Sequence, residues 1–125
     1  MRWSWWLPVP LLLLGAFGYL GITNALGEYA GATNFGQRLE TVAEFAYGLL
    51  GTLAAIALLV AHRAALWLAL AWSCALTICA GLAAAYWGDA GLWGTLAAAG
   101  GAAVIAGLVV WLGKRALWAG AGAPR

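Results

Sequence analysis

The side chains able to do chemistry crowd into one stretch of the chain: Thr23, Asn24, Glu28, Tyr29, Thr33, Asn34, Gln37, Arg38, Glu40, Thr41 and Glu44. If residues 37–44 are helical, Gln37, Glu40, Thr41 and Glu44 stand at i, i+3, i+4 and i+7 and form a single polar stripe. Glu40 one turn away would repel the charge of Glu44 unless Arg38 reaches in, which is what a proton- or cation-coupled site would need. Glu44 is the one acidic residue inside an apolar run, and an ionisable group in a membrane segment is a functional candidate whose partner has to be named. Arg38, Asn24 and Tyr19 are its expected partners. Glu44, Glu40, Arg38, Gln37, Thr41 and Asn24 therefore make up the expected ligand or ion site. The competing expectation is structural, with Glu44 near the outer boundary, still hydrated and serving to position its helix.

Other chemistry finds little support. Cys74 and Cys79 are five positions apart in an apolar run, on roughly opposite sides of a helix, where an intrahelical disulfide does not fit. They read as two small buried side chains. His62 beside Arg63 has no second His, Cys or carboxylate on its side, so no metal site is expected there. A bis-His haem would need imidazoles within the spans, and Ser73 and Thr77 have no base near enough to make a nucleophile, so each is expected to bond backbone instead. No catalytic residue, metal or cofactor is expected.

The elements that would carry the stripe follow from composition. Of 125 residues, 66% are hydrophobic and 8% charged, and the mean hydropathy is +0.92, which suits lipid rather than water. Spanning about 30 Å of hydrocarbon takes roughly 20 apolar helical residues. Four runs qualify, at about 7–26, 41–61, 65–87 and 92–112, with an outer loop at about 27–40. They are expected to form one transmembrane domain. Asn34 with Gln37 three positions on fits a capping box, which starts the second helix ahead of its apolar run. Pro8 and Pro10 fall in the first turns of the first run, where a missing amide donor costs little. A signal peptide cleaved after Ala25 or Gly27 is the alternative reading of that run.

Lys and Arg set the orientation. Arg2, Arg63, Lys114, Arg115 and Arg125 fall on one side and Arg38 on the other, which makes the first side cytoplasmic. Trp3, Trp5, Trp6, Trp67, Trp111 and Trp118 would lie near that boundary and Trp87 and Trp93 near the other, leaving Trp72 inside a span. The expected fold is an all-α integral membrane protein, an antiparallel bundle of four transmembrane helices with both termini inside. Without an organellar presequence, a bacterial inner membrane is the expected location. The basic residues form no run, which excludes a nucleic-acid footprint.

Helices in lipid associate through small residues that let backbones approach. Gly15, Gly18 and Gly21, then Gly48, Gly51, Thr52 and Ala55, then Ser73, Thr77, Gly81 and Ala85, and finally Gly94, Ala98, Ala102 and Ala106 supply such ridges in spans one to four. A second small face on span four, Gly100, Ala103 and Gly107, exceeds what one neighbour covers and is the expected contact with another membrane protein or a second copy. The functional expectation is a non-catalytic accessory or assembly subunit, with the outer loop as a further docking surface. The alternative is an oligomeric proton- or cation-coupled transporter or channel using Glu44. Among four-span families, small multidrug-resistance transporters carry a glutamate in span one, which this chain lacks. The glycine-rich asparagine signature of double-barrelled fluoride channels and the Cys-x-x-Cys pair of vitamin K epoxide reductase-type enzymes are likewise missing.

Overall fold

A computed structural model describes residues 8–60 and 62–121, with side-chain surroundings through Arg115. Arg2, Trp3, Trp5, Trp6 and Arg125, and the side chain of Trp118, lie outside the described residues. All regular structure among the described residues is helical: α1 (Pro8–Glu28), α2 (Phe35–Leu59), α3 (Ala64–Leu82) and α4 (Gly91–Ala121). Four helices are long and apolar enough to cross a membrane, and in hydrocarbon a helix satisfies its own backbone groups within the segment. The chain is thus an integral membrane protein by length and composition.

The caps explain where helices begin and turn. Asn34 Oδ1 accepts from the Gln37 amide at 2.8 Å, so α2 starts at Phe35 and most of the segment expected as an outer loop is helical. The reciprocal half of the capping box is displaced by one residue, because Gln37 Oε1 accepts from the Thr33 amide at 2.8 Å and from the Thr33 hydroxyl at 3.0 Å. A single 3-10 turn, Tyr29–Gly31, extends α1, which leaves Ala32, Thr33 and Asn34 as the extended link. Between α2 and α3, His62 Nδ1 accepts from the Ala64 amide at 3.0 Å, a role for this imidazole that needs no metal. A π-turn, Ala83–Trp87, ends α3. Asp89 and Gly91 then take positive φ, 52° and 69°. Glycine occupies that region freely, and Asp is among the few other residues that do.

Chain neighbours are also neighbours in space: α1 packs on α2, α2 on α3 and α3 on α4, while α1 touches α4 more lightly. At the α1–α2 crossing backbone meets backbone. A Cβ on Gly48 would lie 2.6 Å from the Ile22 amide nitrogen and 2.9 Å from the Gly18 carbonyl oxygen, and one on Gly21 would lie 2.8 Å from the Gly48 Cα. Gly18, Gly21 and Gly48 form this contact with Thr52, whereas Gly15 faces open space. Gly51 instead receives the Trp72 indole, with Cδ1 at 3.0 Å from its would-be Cβ. Trp72 is 0% exposed and tilts against Phe17 with ring centroids 5.8 Å apart. Leu14, Ala54, Leu58, Ala65, Ala69, Ala106 and Val109 complete an apolar core around it. Gly81 meets Ala99 and Thr95 of α4.

The ends of the helices carry their own anchors. Arg115 lies over the Trp111 ring, 5.1 Å from its centroid. At 31 residues, α4 is about 46 Å long, more than the hydrocarbon thickness of about 30 Å. Thr52 and Thr77 donate to carbonyls one turn back, at 2.9 and 2.8 Å, which satisfies hydroxyls that would otherwise be unpaired in lipid.

Candidate functional site: a buried carboxyl and thiol cluster

The polar stripe of α2 turns inward. Glu40 is 2% exposed and Glu44 6%, Thr41 is buried and Gln37 half-buried. Glu44 lies nine positions from Phe35, about 14 Å along a helix of 25 residues, or roughly 37 Å. The Thr41 hydroxyl donates to the Gln37 carbonyl at 2.9 Å, so it supports the helix rather than facing the carboxyls as a free donor. Gln37 ties the outer end of α2 to the turn after α3, donating from Nε2 to the Tyr86 carbonyl at 3.2 Å. A Cβ on Gly36 would overlap the Tyr86 ring, so only glycine lets that ring lie against α2 here.

Two residues that the sequence left outside the site join it. Cys79 of α3 donates from Sγ to Glu40 Oε1 at 3.3 Å. Glu28, the last residue of α1, comes within hydrogen-bonding reach of Glu44, as does Glu40. The Tyr47 ring is buried beside Gly21. One ligand atom from each of Glu40, Glu44 and Cys79 falls within 4.8 Å of the others. Glu40 Oε2 and Glu44 Oε1 are buried with no hydrogen-bond partner. No ion pair joins these carboxyls to a Lys or Arg among the described residues.

The expected partners of Glu44 are elsewhere. Arg38 is exposed, and its position two residues before Glu40 turns it to the opposite side of α2. Asn24 is exposed and Tyr19 is 69% exposed, and neither hydrogen-bonds Glu40 or Glu44 among the described residues. The reason is rotational: α1 presents Gly18, Gly21 and Ala25 to α2, which leaves residues 19 and 24 on its outer side. A sequence signal for Cys79 existed, since Glu44 lies 18 positions before His62 and Cys79 17 after it. Equal distance from a tight turn places two residues at equal depth. Cys74 is exposed, so the two thiols have different surroundings.

Chemically the cluster offers two carboxylates and a thiol in a low-dielectric setting, with no cation beside them among the described residues. Such groups need a proton or a cation between them, because like charges that close cannot both persist in a desolvated site. On α4, Gly100, Ala103 and Gly107 are exposed, and a Cβ on Gly100 or Gly107 would meet nothing within 4 Å. No protein-family model, curated protein or solved structure matches the chain.

Proposed function

We propose that the protein is a non-catalytic accessory or assembly subunit of a larger membrane complex, an antiparallel bundle of four transmembrane helices with both termini on the cytoplasmic side of a bacterial inner membrane. The observation that carries this reading is the uncovered face of α4. Gly18, Gly21, Gly48 and Gly51 are all used in close internal contacts, while a Cβ on Gly100 or Gly107 would meet nothing within 4 Å among the described residues. Helices in lipid gain association energy from close backbone approach, and a smooth face left open is suited to another membrane protein or a second copy. The apolar core around the buried Trp72, Leu14 and Leu58 supports the same reading.

Crosslinking in native membranes followed by mass spectrometry identifies the neighbour, and copurification in mild detergent measures its retention. Gly100→Leu with Gly107→Leu should release the partner while the helical content stays intact. A protein that runs alone as a monomer under all mild extraction conditions overturns the reading.

A second reading rests on the buried acidic cluster: an oligomeric proton- or cation-coupled transporter or channel in which Glu44 binds the ion and Glu40 and Gln37 line its outer approach. A pathway ordinarily places polar groups at the midplane, so transport would have to run between copies. Proteoliposome flux with Glu44→Gln decides: unchanged flux with lost assembly eliminates it.

A further inference from the structure

Donor atoms of two kinds converge where α2 meets α3. Glu40 and Glu44 are one turn apart on the inward stripe of α2, and Cys79 reaches Glu40 across the helix interface with Sγ to Oε1 at 3.3 Å. Two carboxylate oxygens there, Glu40 Oε2 and Glu44 Oε1, have no partner although both side chains are more than nine-tenths buried. We propose that Glu40, Glu44 and Cys79 bind one divalent metal ion of the zinc class within the membrane-spanning part of the chain.

The geometry is close to what the ion requires. Ligand atoms around a tetrahedral zinc at ordinary Zn–O and Zn–S distances stand about 3.3–3.6 Å apart. The Glu40–Cys79 edge already has that length, and the three ligand atoms lie within 4.8 Å of one another. A rotamer adjustment of the two glutamates closes the remainder. A water takes the fourth position. The donor set also selects the class of ion. Magnesium and calcium ask for six or more oxygens and ignore a thiol, whereas two carboxylates with a sulfur suit a borderline ion.

Binding is an exchange without redox change. The ion displaces the proton that Cys79 now donates to Glu40, together with any proton held between the carboxyls, and these protons leave to solvent. The bound ion gives the clustered acids the positive charge that no Lys or Arg supplies among the described residues, and it ties α3 to α2. A proton shared by the two carboxyls would leave the thiol a bystander, so the sulfur is the atom on which the inference turns. It does not depend on the docking reading, because a chain with no partner binds the ion equally well.

The test uses the full chain in detergent, stripped with chelator and titrated with Co2+ as the probe. We expect one equivalent of Co2+ with a thiolate-to-cobalt absorption band, displaced by Zn2+. Cys74→Ser should keep the band. Cys79→Ser should abolish it, and Glu44→Gln should weaken affinity by at least about tenfold, since even outer-sphere changes commonly cost 10–100-fold. Should Cys79→Ser not fold, the unsubstituted chain and Cys74→Ser still decide the matter. No thiolate band in either, or a band lost on Cys74→Ser, overturns the proposal.

Discussion

Replacing Gly48 by alanine should separate α1 from α2. The added methyl would lie 2.6 Å from the Ile22 amide nitrogen and 2.9 Å from the Gly18 carbonyl oxygen and the Gly21 carbonyl carbon, all of them backbone, so no side chain can move aside. Restoring ordinary contact near 3.4 Å requires the helices to part by roughly 0.8 Å, and a gap of that size forfeits a quarter to a half of each dispersion contact. Over roughly twenty atom pairs at about 0.1–0.2 kcal/mol each, the loss is about 0.5–2 kcal/mol, in line with the ~1–3 kcal/mol usual for overpacking. Alanine also gains helix propensity over glycine, up to about 1 kcal/mol in water, which partly masks the clash. Gly100→Ala supplies the correction: it has the same propensity gain and no atom within 4 Å of its methyl. The difference between the two variants should be about 0.5–2 kcal/mol. Reversible unfolding in mixed micelles of rising SDS fraction, followed by circular dichroism and tryptophan fluorescence, measures it. Equal midpoints for Gly48→Ala and Gly100→Ala would refute the claim that this glycine sets the α1–α2 distance.

Gly36→Ala should displace the Tyr86 ring and weaken the Gln37–Tyr86 link, and Tyr86→Ala should relieve the clash, so a double-mutant cycle in the same SDS titration should give a coupling of about 0.5–3 kcal/mol. Asn34→Ala removes the acceptor for the Gln37 amide and should cost about 0.5–2 kcal/mol, whereas Asn34→Asp should stay near the parent midpoint. Trp72→Ala should cost about 3–5 kcal/mol through the cavity it leaves. Trp72→Phe should cost far less, because the buried indole N–H has no acceptor to lose, and equal midpoints for the two variants would show that volume at this position does not matter. Fusion of green fluorescent protein to the C-terminus should give fluorescent bacterial cells and fusion of alkaline phosphatase should be inactive; the opposite pattern would reverse the assigned orientation.

Much of the architecture follows from local properties, and local properties are what a sequence displays. Apolar runs of spanning length with few charges give helices in lipid, because no other local structure satisfies the backbone there. The Asn34 cap and the inward stripe of Glu40, Thr41 and Glu44 follow from helical period alone, and both are present in the structure. What period and length leave open is rotation: which side of each helix meets which neighbour. That is fixed by non-local packing, in which Gly18, Gly21 and Gly48 interlock while Gly15, on the same expected ridge, is left facing open space. The same rotation turns Asn24 and Tyr19 outward and brings Glu28 and Cys79 to the carboxyl pair. The sequence by itself determined a four-helix membrane chain with an acidic stripe on α2. Only the tertiary contact between α2 and α3 decided that a thiol completes it, since residues 40 and 79 meet through a helix interface that neither segment encodes alone.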